Sequence, residues 1–356
     1  MPQLPPEVAL LRERLETALI REVDRLRSRF VGLHPNLAPL ADELRAFVLR
    51  GGKRLRPLLV LLGYQAAGGG DPQAVMGPAL ALELLHTCAL VHDDVIDQAS
   101  LRRGQPAVHA AFARRRASPR GPGCHDRYGE AAAILLGDLA FVHADELFLC
   151  SEVAPRRLLS AFQVFTTMRE EVTAGQFLDV DAAWSRATSV ELALSIARYK
   201  SGSYSVARPL QIGATLADDG DEIAESLATV GQPLGQAFQL RDDVLSVFGT
   251  EAEIGKSTAS DLSEGKRTLL VALTAERLDP PSRARFDSLF GQPDLSSEHA
   301  DELRGLMQTS GGLAATQRWT ADLFNQALRE LDAVPVNEEA RRVLRDLALY
   351  LVARNV

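Results

Sequence analysis

The sequence is poor in cysteine and in aromatic residues, and these shortages limit the cellular location and the structural class that it can have. Its three cysteines, Cys88, Cys124 and Cys150, show no paired spacing, so a reducing cytoplasm is the simplest location. Aromatic residues make up only 6% of the chain, whereas alanine, leucine and arginine are abundant, a composition that favours helices. No internal repeat with a period of roughly 20–50 residues is present, which argues against a solenoid.

The chain also lacks the features of nucleic-acid-binding, secreted and membrane-inserted proteins. Its formal net charge of −8 disfavours binding to nucleic acid or to anionic membranes. The first residues contain no basic region followed by an apolar stretch, so no signal peptide is expected. The strongest apolar segments, residues 79–91 and 230–240, are shorter than the roughly 18–20 residues of a membrane-spanning helix, so no stable membrane insertion is expected.

Apolar residues recur at helical rather than alternating spacing along almost the whole chain. The pattern predicts an N-terminal helix within residues 1–35, buried helices in the two apolar segments, and about five shorter helices in the C-terminal third. No Gly/Ser linker divides the chain, so we predict one all-α domain over residues 1–356. Residues 114–128, rich in Arg, Pro and Gly, are predicted to form an exposed loop, and residues 250–265 a mobile lid.

Two aspartate clusters follow the apolar segments and carry most of the functional information. The first contains Asp93, Asp94 and Asp97, and the second contains Asp242 and Asp243. Residues three and four apart share one face of a helix, so the carboxylates of the first cluster lie together. Because like charges repel, carboxylates this close to a core require a cation. Oxygen ligands select a hard cation such as Mg²⁺, which commonly bridges carboxylates to substrate phosphates.

Basic segments accompany both clusters. Residues 101–106 (LRRGQP) follow the first cluster, and a loop that contains GK and GKR follows the second. A third segment, GGKRLRP at residues 51–57, joins two glycines, which permit close backbone approach, to three cations. A single aspartate pair is usually a solvated helix end. Two pairs with flanking cations indicate a diphosphate-binding site.

The order of these motifs resembles the trans-isoprenyl diphosphate synthases. The segments run from about residue 40 to residue 275 in the order that this family shows: GGKRLRP, HTCALVHDDVID with RRGQPAVH, GQFLD, YKSGS, FQLRDDVLSVFG, GKSTASD and GKRT. Residues 129–147 further resemble bacterial geranylgeranyl diphosphate synthases. The resemblance implies the isoprenoid synthase fold, an all-α helical bundle around a central apolar cavity, and a homodimer.

The resemblance also implies roles for individual residues. The ligands for Mg²⁺ would be Asp93, Asp94, Asp97, Asp242 and Asp243, and Arg102 and Lys200 would join them as catalytic residues. The allylic diphosphate would be bound by Arg102, Lys200, Ser201, Gln239, Lys256 and Lys266. Isopentenyl diphosphate would be bound by Gly52, Lys53, Arg56, His86 and Arg103. Gln176 and Asp179 fall at other positions that line the site.

The implied reaction is the Mg-dependent, head-to-tail (1′-4) condensation of isopentenyl diphosphate with an allylic diphosphate, which releases diphosphate. The positions five and four before Asp93 are Cys88 and Ala89, about one helical turn below the metal site. In the family, bulky aromatic residues at these positions stop growth at fifteen carbons. The small side chains here therefore favour geranylgeranyl diphosphate, with a longer product or farnesyl diphosphate as alternatives.

Two departures and three alternatives accompany this interpretation. Ser246 stands where the second motif often has a third aspartate, and Ser201 replaces the usual threonine but keeps its hydroxyl. A class I terpene cyclase shares the first motif, but it usually carries an Asn/Ser/Glu triad in place of the second. A non-catalytic regulatory subunit typically loses aspartates of the first motif. A di-iron four-helix bundle would use Glu83 and His86, but its second Glu-x-x-His pair is missing from the sequence.

Overall fold

Helices account for nearly all of the secondary structure, so the predicted all-α class is confirmed. The computed structural model describes residues 4–116, 125–249 and 258–352. Contacts between Cα atoms divide the described residues into two units. The first unit comprises Pro6–Leu61 and Gly70–Leu158, and the second comprises the described parts of Met1–Pro5, Leu62–Gly69 and Leu159–Val356. The single-domain interpretation stays a prediction.

The first unit is built around a buried helix. Its elements are α1 (Pro6–Leu33), a 3₁₀ turn (Pro35–Leu37), α2 (Ala38–Leu49), the start of α3 (Leu55–Ala66), a 3₁₀ turn (Pro72–Val75), α4 (Met76–Ile96), strands β1 (Leu101–Arg102) and β2 (Gln105–Pro106), α5 (Val108–Arg116) and α6 (His125–Leu149). Helix α6 packs along α4, and α5 packs on α6. At Gly77 an added Cβ would lie 2.6 Å from the carbonyl oxygen of Leu147, so only glycine permits this close approach of α4 and α6.

The length argument against a membrane-spanning segment is wrong. Helix α4 continues beyond residues 79–91 at both ends, and with its preceding turn it spans Pro72–Ile96, 25 residues with a mean hydropathy of 1.6. Of its most apolar window, 72% is buried inside the protein. Its burial, and not its length, identifies α4 as a core helix rather than a membrane-spanning one.

The second unit begins with the end of α3 and contains the remaining helices. They are α7 (Pro155–Ser185, from Leu159 on), α8 (Val190–Ile196), a π-helical segment (Ala197–Ala207), α9 (Arg208–Thr215), α10 (Asp221–Phe248), α11 (Ser260–Glu264), α12 (Leu269–Arg277), α13 (Pro280–Leu289), α14 (Ser297–Thr309), α15 (Gly312–Ala333) and α16 (Glu338–Val352). Helix α10 packs against the π-helical segment, α9 and α15. Five helices lie between residues 267 and 352, as the periodicity predicted.

Helices occupy described parts of the two segments that were predicted to be irregular. Residues 114–116 belong to α5 and residues 125–128 to α6, so the exposed-loop prediction is wrong for both ends, and residues 117–124 lie outside the described residues. In the predicted lid, residues 250–257 lie outside the described residues, whereas Ser260–Glu264 forms α11. Gly265 ends α11 with a φ of +72°, a left-handed helix end that favours glycine.

Candidate active site

The first aspartate cluster lies in the last turn of α4, where its three carboxylates differ in burial. Asp93 and Asp97 are partly exposed, whereas Asp94 is fully buried. The Arg102 Nε donates to Asp94 Oδ1 at 2.8 Å, and Arg102 Nη2 lies 3.3 Å from Asp93 Oδ2. Burial raises the pKa of Asp94 above its ordinary value, although the Arg102 guanidinium opposes that shift. The cluster therefore combines one internal carboxylate held by arginine with two that face outward.

A two-residue hairpin positions the arginine pair. Leu101 pairs with Pro106 and Arg102 with Gln105, so Arg103 and Gly104 form the turn. Both turn residues have positive φ, +54° and +72°, as a type I′ turn requires. No strand was predicted here, because a ladder of two residues is too short to show alternation. The hairpin places Arg102 beside the aspartates and Arg103 on the GGKR segment.

Glycine is required where Arg103 meets the GGKR segment. Arg103 Nη1 donates to the Gly51 carbonyl oxygen, and a Cβ added at Gly52 would lie 3.0 Å from Arg103 Nη2. Gly52 also has a φ of +148°, which a side chain would strain. The two segments thus form one basic pocket with backbone polar groups at its edge.

The cations of the GGKR segment point in different directions. Arg54 is buried, where it pairs with Glu83 and with Glu16 at 2.9 Å and donates to the Val48 carbonyl oxygen at 2.7 Å. Lys53 is exposed and Arg56 is half-buried. Arg54 is therefore structural, and Glu83 is committed to it rather than to a di-iron centre.

His86 is held neutral inside the same pocket. Burial, reinforced by the positive charges of Arg56 and Arg103, keeps its pKa well below the ordinary value. A neutral imidazole donates from one nitrogen and accepts at the other, so His86 can hydrogen-bond an anion without adding charge. The structure thus brings together Gly52, Arg56, His86 and Arg103 of the predicted isopentenyl diphosphate site.

The second aspartate cluster gathers carboxylates from three elements of the second unit. Asp242 and Asp243 lie on α10, Asp179 on α7 and Asp261 on α11. Burial and then the charges of Asp261, Asp242 and Asp179 raise the pKa of Asp243 to about 7, although a hydrogen bond from Gln239 opposes them. Asp261 was not singled out from the sequence. Its presence in the GKSTASD motif was the signal that could have found it.

Two lysines are seated against these carboxylates. Lys200 Nζ lies 2.6 Å from Asp179 Oδ2, and Lys266 Nζ lies 3.6 Å from Asp261 Oδ1 and 3.0 Å from Glu264 Oε2. The predicted Lys256 lies outside the described residues. Of the predicted allylic diphosphate ligands, Lys200 and Lys266 are therefore beside the second carboxylate cluster.

Ser246, at the position of the usual third aspartate, has a local structural role. Its hydroxyl donates to the backbone carbonyl oxygen of Asp243 at 2.8 Å, and its side chain is buried. Serine at this position therefore leaves the cluster with one carboxylate fewer. Its hydroxyl instead hydrogen-bonds the helix backbone one turn earlier.

The donor set fits a divalent metal ion bound together with a bridging anion. Within residues 4–116, 125–249 and 258–352, no three His, Cys, Asp or Glu side chains form a preassembled metal site. Yet Asp94 Oδ2 is buried with no described hydrogen-bond partner, and negative charge accumulates around Asp243. A hard cation bound at each cluster would relieve these two features separately.

The predicted chain-length position is linked to α6. Cys88 is buried, and its Sγ lies 3.7 Å from His92 Nδ1, while His92 Nε2 lies 3.1 Å from the Ile134 carbonyl oxygen. A Cβ added at Gly137 would lie 2.2 Å from His92 Nε2, so glycine makes room for the imidazole. Burial raises the pKa of the Cys88 thiol to about 12, which keeps it neutral.

Comparison with known proteins shows extensive similarity. The polyprenyl synthetase family matches residues 38–307. The chain is 32% identical to the geranylgeranyl diphosphate synthase of Methanosarcina mazei over 87% of this chain and 88% of that one. It is 30% identical to the geranylfarnesyl diphosphate synthase of Natronomonas pharaonis over 86% and 87% of the two chains. The crystal structure of a Corynebacterium glutamicum geranylgeranyl pyrophosphate synthase, complexed with isoprenyl diphosphate and magnesium, matches with a TM-score of 0.91 and 33% identity, covering 96% of this chain and 98% of that one.

Proposed function

We propose that this chain, a member of the polyprenyl synthetase family and a prenyl diphosphate synthase, makes mainly geranylgeranyl diphosphate. We also propose that its activity depends on Mg²⁺. It joins isopentenyl diphosphate head-to-tail to an allylic diphosphate and releases diphosphate. The observation that carries the assignment of its site is the pairing of each aspartate cluster with lysine or arginine side chains, at Arg102 and at Lys200.

Divalent metal ions would be held by the partly exposed aspartates, with the buried Asp94 as a contributor through Oδ2. The proposed ligands are Asp93, Asp94, Asp97, Asp242 and Asp243. When bound, the ions neutralise negative charge on the leaving diphosphate. Magnesium in the Corynebacterium glutamicum structure supports a divalent cation, and the all-oxygen donor set supports Mg²⁺ in particular.

The basic pocket of the first unit is proposed to hold isopentenyl diphosphate. Arg56 and Arg103 supply positive charge, the neutral His86 supplies a hydrogen bond, and Gly52 permits close backbone approach. Lys53 is exposed at the same segment and is proposed to contact the outer phosphate. Binding this substrate by its diphosphate orients its double bond toward the allylic carbon. The two reacting groups are then held close together in the orientation that the reaction requires.

The allylic diphosphate is proposed to be bound by Arg102, Lys200, Lys256 and Lys266. In the described structure Arg102 pairs with Asp94, a proposed metal ligand. Lys200 pairs with Asp179 and Lys266 with Asp261, and these two carboxylates act electrostatically on Asp243. As the allylic carbon–oxygen bond breaks, its electron pair passes to the diphosphate, and these fixed positive charges stabilise the developing anion.

The remaining steps require no nucleophilic side chain. The double bond of isopentenyl diphosphate attacks the allylic cation and forms the new carbon–carbon bond. Loss of a proton, with the released diphosphate as the proposed base, restores a double bond in a product that is longer by five carbons. Water would capture the cation, and the buried apolar face of α4 next to the aspartates is suited to excluding it.

The twenty-carbon product is proposed from the small residues at Cys88 and Ala89. Neither is a bulky aromatic, so growth past fifteen carbons is not blocked at this turn of α4. Of the named relatives, one is a geranylgeranyl diphosphate synthase, whose name gives the same twenty-carbon product, and one is a geranylfarnesyl diphosphate synthase, whose product is five carbons longer. Longer polyprenyl and farnesyl products remain the alternatives that product analysis separates.

We also propose a cytoplasmic homodimer. Helix α6 exposes a row of large apolar side chains, Ile134, Leu135, Phe141, Val142 and Leu149, with exposed fractions between 37% and 65%. Exposed apolar areas of this kind commonly mark protein interfaces. A second copy of the chain that covers this face would remove it from water.

The proposed function is tested by incubating the purified protein with Mg²⁺, labelled isopentenyl diphosphate and allylic primers of five, ten and fifteen carbons. We expect elongation to a main product of twenty carbons, abolished by chelation. The Asp242→Ala variant should lose at least about 10²-fold in rate, the scale of removing one electrostatic stabiliser. A cyclised hydrocarbon would indicate a terpene cyclase, and activity only after addition of another subunit would indicate a regulatory partner.

A further inference from the structure

Three side chains next to the second aspartate pair form a continuous chain of hydrogen bonds. The Ser201 hydroxyl donates to Gln239 Oε1, and Gln239 Nε2 donates to Asp243 Oδ1 at 2.6 Å. Gln239 and Asp243 are four residues apart on α10, so they share one face of that helix. Ser201 comes from the π-helical segment and is buried.

The chemistry of the three groups gives this chain a direction. In the ionised form that binds a metal ion, the Asp243 carboxylate only accepts hydrogen bonds, so the amide must present its NH₂ end to it. The amide oxygen then faces the other way, and only a donor can satisfy it. The Ser201 hydroxyl is that donor, so it selects the orientation of the Gln239 amide that Asp243 requires.

Backbone contacts fix Ser201 against α10. A Cβ added at Gly235 would lie 2.6 Å from the Gly202 carbonyl oxygen, and one added at Gly231 would lie 2.4 Å from the Ala207 Cα. The two glycines therefore let the π-helical segment lie directly on the backbone of α10. Because Gly202 follows Ser201, this contact sets how far the hydroxyl stands from Gln239.

We propose that Ser201 and Gln239 are positioning residues that orient the Asp243 carboxylate for a divalent metal ion, and that they do not act mainly as ligands of the allylic diphosphate. This inference rests on the proposed function. Asp179, Asp242 and Asp261 act electrostatically on Asp243, so its carboxylate would otherwise turn away from its like-charged neighbours. With Oδ1 held by the amide, the direction of Oδ2 is set before the metal ion arrives.

The same segment provides a matched control. Gln232 Nε2 donates to Ser203 Oγ at 2.5 Å, so a second serine–glutamine pair joins the π-helical segment to α10. Gln232 lies seven residues, about two helical turns, before Gln239. Replacing Ser203 by alanine removes a serine–glutamine hydrogen bond between the same two elements, one in which serine is the acceptor, without touching the chain that ends at Asp243.

The test compares metal binding with activity in Ser201→Ala, Ser201→Thr and Ser203→Ala. The probe for binding is Mn²⁺ with inorganic diphosphate, followed by the electron paramagnetic resonance signal of free Mn²⁺. We expect Ser201→Ala to weaken Mn²⁺ binding by about 10–100-fold, as loss of a group that orients a metal ligand does. The Mg²⁺ concentration for half-maximal activity should rise in parallel, while kcat at saturating Mg²⁺ and the KM for the allylic substrate stay near wild type. Ser201→Thr keeps the hydroxyl and should restore binding, and Ser203→Ala should leave it unchanged.

A second pair of variants keeps the test decisive if Ser201→Ala folds poorly. Gln239→Ala removes the donor to Asp243 directly and should weaken Mn²⁺ binding as much as Ser201→Ala does. In the double variant the two losses should not add, because both substitutions break one chain. Additive losses, or a raised allylic KM with unchanged Mn²⁺ binding, would overturn the inference. A wild-type protein that neither binds Mn²⁺ with diphosphate nor elongates a primer would instead overturn the proposed function itself.

Discussion

Neighbouring residues of like charge have different roles in this site, because one side chain is buried and the other is exposed or partly exposed. Asp94 is buried on Arg102, whereas its neighbour Asp93 is partly exposed. Arg54 turns into the core, whereas Lys53 is exposed. Substitution at adjacent positions should therefore separate stability from catalysis.

The first residue-scale prediction compares Arg54→Ala with Arg56→Ala. Arg54→Ala leaves Glu83 buried without its partner, so the free energy of unfolding should fall by about 3–5 kcal/mol, measured by urea denaturation. Arg56→Ala should change the unfolding free energy far less and mainly raise the KM for isopentenyl diphosphate. Equal destabilisation by both variants, with an unchanged KM, would contradict this division.

The second residue-scale prediction concerns product length. Cys88→Phe places an aromatic ring one turn before Asp93, which should shift the main product from twenty carbons toward fifteen. The product distribution is measured by chromatography of labelled products, with the initial rate from the five-carbon primer as the control for intact ionisation. A folded, active Cys88→Phe enzyme with an unchanged distribution would place the limit on chain growth elsewhere.

At the scale of elements, the π-helical segment and α10 are in direct backbone contact beside the site. Three helical glycines, Gly175, Gly231 and Gly235, each meet the backbone of this segment, so no side chain separates the helices. Lys200 and Ser201 are carried on the segment at that contact. The spacing of helix backbones thus sets the distance between the basic and acidic side chains of the site.

The element-scale prediction is that Gly235→Ala destabilises the protein, whereas Gly305→Ala does not. The new methyl at Gly235 would lie 2.6 Å from a backbone oxygen, so the helices must separate, at a cost of about 1–3 kcal/mol. Gly305 lies on α14 with nothing within 4 Å of an added Cβ, so alanine there should stabilise by about 0.4–1 kcal/mol. Thermal unfolding of both variants measures the contrast, and a neutral Gly235→Ala would show that the helices can move apart freely.

At the scale of the whole molecule, a polar network ties α1 to α6. His143 is buried, with Nε2 2.9 Å from Glu22 Oε1 and Nδ1 2.9 Å from Glu146 Oε2. Burial raises the pKa of Glu22, but hydrogen bonds with His143 and Arg25 outweigh it and lower that pKa to about 2. Mainly a hydrogen bond from Arg29 lowers the pKa of Glu146 to about 2. Protonation of these carboxylates couples the docking of α1 to pH.

The pH prediction follows from the sign of these shifts. A carboxylate whose pKa is lower in the folded than in the unfolded protein stabilises the folded state. This contribution is full at pH values above the unfolded pKa of about 4.3, and it is lost as the pH falls toward the folded pKa of about 2. Glu22→Gln should therefore lower the urea midpoint at pH 7, and the difference from wild type should shrink as the pH falls below about 4.3. Glu13→Gln, on the exposed face of the same helix, is the control. A difference that does not vary with pH would remove Glu22 from this role.

The second whole-molecule prediction is a homodimer formed through the exposed apolar row of α6. Light scattering at micromolar protein should give twice the 38.6 kDa of one chain. The double variant Leu135→Lys/Val142→Lys places charges in the row and should give a monomer that keeps its helical circular dichroism. A wild-type monomer, or a dimer that tolerates both lysines, would direct the search for the interface to another face.

The sequence by itself determined the helical class and the family, and it supplied most of the candidate residues of the proposed site. Helical periodicity spans tens of residues, so α1, α4, α6 and α10 were predictable, apart from their ends. The aspartate pairs and the GGKR and RRG segments were predictable because local spacing on a helix or turn brings their side chains together. The hairpin was missed because two paired residues on each strand leave no periodic signal.

Only the tertiary structure decided which members of each charged group serve the site. Arg54 turns inward because Glu83 lies opposite, Asp261 joins Asp243 across the second unit, and Ser201 meets Gln239 from another helix. These partners are 29, 18 and 38 positions apart in the chain. Neighbouring residues of equal charge have the same local propensity, so the sequence pattern does not distinguish them. What distinguishes such neighbours is the free energy of burying each charge against a partner that is distant in the chain. That partner is known only after the chain has folded.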